Sequence, residues 1–562
     1  MPKVHPRRIV ALCTLLLVAL CSSLPASAQN SAIDTYAITN ARIVSVSGPI
    51  VERGTVVIRN GLIVAAGANI SAPPDARVID GAGLTVYPGL IDSYTNLALP
   101  EPSPGPAPGG GGGGAFFLLQ QQPQTRPAGP NSSQPAGLQP EVMVEDAIRS
   151  GGNELEASRN IGITTVLTAP RSGIWMGQSA LINLAGETTQ QMIVRSPVAM
   201  HVSFTPRQGG YPGSLMGVFA QLRQMMLDAQ RYRDSMQIYE RNPRGIRRPE
   251  TDRSLAALVP VIEGRMPVVM LANSEREINR ALDLAAEFKL KLIIAGGREA
   301  DEVADRLAKQ NVPVLLSLNL PRRTTAAMPE ADPEPMRVLR ERVAAQQTAA
   351  KLARAGVRFA FQSGSLTNMS DLMTNVNRVI ENGLSAADAV KAFTIWPAEI
   401  LGVASQLGSI EAGKIANLTV TRGDLFDRNS RVAHVFIDGK PVDLRPSAPP
   451  AGTERPGGRG VTGMWTLNIN FGQGERSATL TLQQEGDRVT GSIAGVLGSG
   501  EISNASMSSS DELRFTVPLN LEGQTREATF TGTLSGNEIR GAVNVVGLTP
   551  GTFTATRAGR PN

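Results

Sequence analysis

Four times between residues 154 and 363 an amphipathic helical stretch runs straight into a short apolar strand. ELEASRNIG leads into ITTVLTAP, EREINRALDLAAEFKL into KLIIAGG, EADEVADRLAKQN into VPVLLSL, and QTAAKLARAG into VRFAFQS. A helix between successive buried strands is the crossover that parallel pairing needs, so this α/β pattern predicts a parallel sheet clothed by helices. The number of repeats across 87–400 suits a closed (β/α)8 barrel of the TIM type better than an open sheet, though periodicity alone does not choose between them.

The flanks read differently. Residues 32–86 alternate in short runs, AITNARIVSV, GTVVIRNGLIVAAG and ARVIDGAGLTVYPG, with Asn60-Gly61 suited to a tight hairpin turn. After the helical SAADAVKAFT the chain returns to β over 401–442, in QLGSIEAGKIANLTVT and RVAHVFIDGK. Both flanks are expected to build one composite side domain, a small β-sandwich. Inside the barrel region, 101–140 is a Gly/Pro-rich insertion without apolar periodicity, apart from Phe116-Phe117-Leu118-Leu119, and is expected to remain disordered. A second poor segment, 443–460, reads as a linker to an all-β domain at 461–562, whose alternating runs are punctuated by turn signals at EGDR and SGNE.

The first 28 residues carry the marks of a secretory signal: basic Lys3, Arg7 and Arg8, an apolar stretch from Ile9 to Leu20, and Ala26-Ser27-Ala28 as a cleavage site. The expected location is therefore secreted or periplasmic, with no membrane span after cleavage. Both cysteines, Cys13 and Cys21, fall in this segment, so the mature chain has no disulfide and no thiolate ligand. Removing the leader's three basic residues leaves 51 basic against 49 acidic ones, a balance that argues against a nucleic-acid partner. The densest basic run, Arg244 to Arg248, is broken by Pro and Gly and reads as a solvated loop.

Three stretches together resemble the amidohydrolase superfamily, specifically its imidazolonepropionase-like exported members. Tyr87-Pro-Gly-Leu-Ile-Asp92 looks like the strand that opens the barrel. GQSALINLAGETTQQMIVRSPVAMHVSF is similar to a mid-barrel segment, and GLSAADAVKAFTIWPAEILGVASQLGSIEAGKIANLTV to the closing one. The likeness spans 36–442. It implies a barrel that binds zinc or another divalent metal at the C-terminal ends of its strands, where metal-bound water becomes a nucleophile. The implied ligands are a His-x-His after the first strand, later strand-end histidines and an Asp near the last strand. This chain has Tyr94-Thr95-Asn96, Leu271, Gly296 and Gly364 at those places. Beyond the leader it has two histidines, His201 and His434, too few for such a set under any alignment.

No metal ligand, catalytic residue or cofactor is therefore expected. The residues expected to line a vestigial substrate pocket are Tyr94, Asn96, Gln178 and His201, while His434, ahead of an Asp-Gly turn, reads as structural. A nucleophile elbow is missing, the nearest run being Gly177-Gln178-Ser179-Ala180, and the glycine run at 109–114 lacks the Lys and helix of a phosphate loop. The first functional expectation is a non-hydrolytic protein that binds a small molecule or serves as a subunit beside a metal-competent amidohydrolase paralogue. The alternative is an active hydrolase of carbon–nitrogen bonds working through a degenerate site around His201; a third possibility is a scaffold that interacts through its β domain. In that domain Gly463-Met-Trp465 bears a weak resemblance to lipocalin-like barrels, which implies either a ligand pocket or a tryptophan plug.

Overall fold

The computed structural model describes residues 34–100, 134–321 except 136, 208 and 209, 335–444 except 365, 367 and 428, and 461–557 with short interruptions. The expected leader, most of the Gly/Pro-rich insertion and nearly all of the linker lie outside these residues. The chain separates into two compact units at Arg445/Pro446.

The first unit holds the barrel. Its strands are β1 (Leu90–Thr95), β2 (Ile163–Thr168), β3 (Trp175–Gln178, continued by Ala180–Asn183), β4 (Met200–Ser203), β5 (Val268–Ala272), β6 (Leu292–Gly296), β7 (Val314–Ser317) and β8 (Phe359–Gln362). β1 pairs parallel with β2, and β4 to β8 pair parallel in succession. The expected all-parallel (β/α)8 pattern fails at β3, which is antiparallel to both β2 and β4. Only Ala169–Ile174 separates β2 from β3, too short for the crossover of a dozen or more residues that a parallel return requires.

Alternation along the strands sorts the core into two layers. Met200, Val202, Val268, Met270 and Ile294 face the outer helices, whereas Val269, Ile293, Leu315 and Ala360 fill the lumen. The helix Glu275–Phe288 shows how the sequence builds the outer layer. Ser274 and Glu277 form a capping box at its start, and Ile278, Ala281, Leu282 and Ala285 make one buried stripe. Burying a large aliphatic side chain there contributes about 2 kcal/mol.

Between β8 and β1 the barrel is fastened by side chains. The Ser93 hydroxyl donates to the Phe361 carbonyl at 2.7 Å. The Asp92 carboxylate accepts from the Ser363 N–H at 3.0 Å and from the Ser363 hydroxyl.

The flanking strands join in one eight-stranded sheet. Leu84–Pro88 is its seam, parallel to Thr35–Ile43 on one side and antiparallel to Leu418–Arg422 on the other. Tyr36 touches Phe436 with ring centroids 5.7 Å apart, although two strands lie between theirs in the sheet order. The expected sandwich is therefore a single sheet curled on itself around Ile38, Ile58, Val86, Val420 and Phe436. The expected unpacked stretch 101–140 also ends early. Leu138 is 2% exposed and bridges to Trp175, and the Pro140 carbonyl accepts from Gln178 at 3.0 Å. An apolar side chain seated against the barrel wall is what ends the insertion.

The second unit is an antiparallel meander from Gly463–Asn470 to Gly551–Arg557, closed because its first strand also pairs with its last. Leu467, Leu480, Phe515, Phe530 and Phe553 pack its interior. Trp465 is fully buried, donates to the Val461 carbonyl at 2.8 Å, and lies under the Arg557 guanidinium at 4.7 Å.

Candidate functional site

A cavity of about 140 Å³ opens where β1 and β5 to β8 end. Tyr94, Leu271, Ala295, Ser317 and Gln362 form its strand-end floor, one from each strand. Asn273, Arg298, Asn319 and Leu320 come from the loops that follow, and Ala345 and Thr348 from the helix Met336–Arg354. The ends of parallel barrel strands are where such folds place their chemistry, because the loops there vary without disturbing the core.

Of the four expected pocket residues, only Tyr94 lines this cavity. His201 is adjacent but sealed: it is 0% exposed, with its ring 5.6 Å from that of Tyr94. It pairs with Val269 in the ladder and projects into the apolar lumen, where neither ring nitrogen has a hydrogen-bond partner among the described residues. Burial lowers its pKa from 6.5 to about 3, so the imidazole is neutral at ordinary pH. Asn96 is turned aside, its amide donating to the Ala169 carbonyl at 2.8 Å. Gln178 lies midway along β3, paired with Met200 at the start of β4, and its amide nitrogen is spent on the Pro140 carbonyl. The antiparallel course of β3 is what carries it away from the mouth. His434 lies on the side-sheet strand Arg431–Ile437, consistent with a structural role.

Sequence reasoning missed Gln362, Arg298, Asn273 and Thr348. For three of them the signal was position: Gln362 ends β8, Asn273 directly follows β5, and Arg298 lies two residues past Gly296; Thr348, inside the helix Met336–Arg354, gave none. It also missed Asp92, which is fully buried and has a pKa raised to about 6 by desolvation, against the pull of hydrogen bonds from Ser363 and Tyr94. Burial raises the Tyr94 phenol as well, so it remains a protonated donor.

The donor set at the mouth does not fit a divalent metal. Tyr94, Leu271 and Gly296 line the cavity without an imidazole or carboxylate among them. The space at these positions is also filled. A Cβ at Gly364 would meet Tyr94 Cδ1 at 2.7 Å and the Tyr94 carbonyl at 2.9 Å, so this phenol ring and an Asp at 364 exclude one another as packed. A Cβ at Gly296 would meet Asn273 Oδ1 at 2.5 Å, on a backbone with φ +100°. Among the described residues no three His, Cys, Asp or Glu side chains converge.

Comparison with known proteins bears on the fold and the family. An amidohydrolase from Thermotoga maritima MSB8 superposes with a TM-score of 0.61 at 24% identity, over 73% of this chain and 100% of its own. Dihydropyrimidinase 1 of Caenorhabditis elegans is 40% identical over 63 residues, a match that spans 11% of this chain and 12% of that protein. Residues 212–442 match the model of the amidohydrolase family. That match takes in the later barrel strands and the returning flank, so residues 212–442 form an amidohydrolase-family domain.

Proposed function

We propose that this chain is an exported amidohydrolase-family protein, imidazolonepropionase-like in its motifs, that binds a small molecule at its barrel mouth and does not hydrolyse it. The observation that carries this reading is the packing at Gly364, where any Cβ would run into the Tyr94 ring and carbonyl, supported by the positive-φ backbone at Gly296, which disfavours a side chain there. A site that had merely lost its ligands would have room to regain them. This one has been repacked. Hydrolysis through His201 is disfavoured because the ring is sealed from the cavity and neither nitrogen meets a hydroxyl or carboxylate.

The test is elemental analysis of the purified mature protein, before and after incubation with zinc and gentle dialysis, with turnover measured on a panel of cyclic amides and dipeptides. The expected result is no stoichiometric metal and no turnover. One or more metals retained per chain together with amide hydrolysis would overturn the proposal.

A further inference from the structure

Resting on that binding reading, we infer that the mouth cavity selects a small aliphatic carboxylate of about four to six carbons, through the Tyr94 hydroxyl, the Gln362 amide nitrogen and the Arg298 guanidinium.

The argument begins with unused hydrogen-bonding capacity. Tyr94 is 7% exposed, and among the described residues its hydroxyl has no hydrogen-bond partner. Gln362 is 3% exposed; its carbonyl oxygen accepts from the Gly364 N–H at 2.9 Å, while its amide nitrogen has no partner among the described residues. A polar group without a protein partner that faces a cavity offers its hydrogen bond to whatever occupies that cavity. Both free groups are donors. Arg298, on the exposed rim, adds a positive charge that no ion pair with a described residue neutralises. Among the described residues no Asp or Glu lines the cavity to oppose an anion. Two neutral donors and one guanidinium around a space without a carboxylate define a receptor for a planar anion.

Size and the remaining wall narrow the class. Leu271, Leu316 and Leu320 supply an aliphatic lining that a bare inorganic ion would leave unused. A cavity of about 140 Å³ is close to the roughly 150 Å³ that holds benzene, so the ligand has about six to eight non-hydrogen atoms. A short aliphatic monocarboxylate meets each condition: two oxygen acceptors, one negative charge and a chain of limited length.

Isothermal titration of the mature, full-length protein with acetate, butyrate, hexanoate and decanoate, and with the amide of each, tests the inference. Butyrate or hexanoate is expected to bind best, with its amide at least about tenfold weaker. Tyr94→Phe and Arg298→Gln are each expected to weaken carboxylate binding by about tenfold or more; the first is nearly isosteric and the second exposed, so both should fold. Equal affinity for carboxylate and amide, or no carboxylate binding, would overturn the ligand class. Carboxylate binding that survives while an amide is hydrolysed by metal-loaded protein would instead overturn the non-hydrolytic reading and leave the recognition intact.

Discussion

The base and the mouth of the same barrel treat buried polar groups in opposite ways. At the base, where barrel and side sheet meet, Asn417 donates to Asn183 Oδ1 at 2.7 Å and to Thr165 Oγ1 at 3.0 Å. Its own Oδ1 accepts from the Asp438 N–H at 2.8 Å, and Asn183 donates to the Asp438 carboxylate at 2.8 Å. Thr165 closes the circuit by donating to Asn183 at 2.9 Å. At the mouth, by contrast, the Tyr94 hydroxyl, the Gln362 amide nitrogen and both nitrogens of His201 are without partners among the described residues. A closed polar circuit locks two elements in one register, whereas a set of free donors stores binding capacity at the expense of stability. The comparison teaches that the fold is secured at the base, so the mouth is free to be repacked.

The largest effect should come from the base. Asn417→Ala strands the Asp438 N–H and removes both donations, and is expected to lower unfolding free energy by about 3 kcal/mol in urea titration. A loss below about 1 kcal/mol would mean the circuit is decorative and the comparison fails.

His201→Leu should act in the opposite direction, because it removes two orphaned polar atoms from an apolar lumen. Its signature is pH dependence. The His201 pKa of about 3 in the folded chain lies below its unfolded value of 6.5, so between these limits the unfolded state binds more protons and wild-type stability falls as pH drops. Asp92 works the other way. Its folded pKa of about 6 lies above the unfolded 3.8, so its contribution is full below about pH 4 and is lost as pH rises towards 6. From about pH 4 to 6 the two contributions oppose each other in the wild type, and His201→Leu leaves Asp92 alone. The variant's advantage over wild type is therefore expected to widen from pH 6.5 towards pH 4 by up to about 1.4 kcal/mol per unit. An advantage that stays constant over this range would show that His201 titrates alike in the folded and unfolded chain.

The smallest effect belongs to Tyr94→Phe, which removes a hydroxyl that bonds no described residue. Unfolding free energy should shift by no more than about 0.5 kcal/mol in the absence of ligand. A loss of about 2 kcal/mol would reveal a structural partner and weaken the contrast between the two ends.

The sequence by itself determined which segments are helix and strand, because the periodicities of 3.6 and 2 are written locally in runs such as EREINRALDLAAEF and KLIIAG. It carried a resemblance to amidohydrolases in YPGLID, GQSALINLAG and GSIEAGK, the last of which lies in the matched domain, and its three histidines are too few for a four-imidazole ligand set. Only the tertiary structure decided the direction of β3, and with it the removal of Gln178 from the mouth, since strand direction depends on the length of the connection and not on the strand's own residues. It also decided that His201 faces a sealed lumen and that Asp92 fastens β1 beside β8, because hydrogen bonds between residues some 270 positions apart leave no local periodicity. The mouth was half legible for the same reason. The substitutions at Tyr94, Leu271, Gly296 and Gly364 can be read one at a time, but the contacts of Tyr94 with Gly364 and of Asn273 with Gly296 exist only once separate strand ends are brought within a few ångströms of each other.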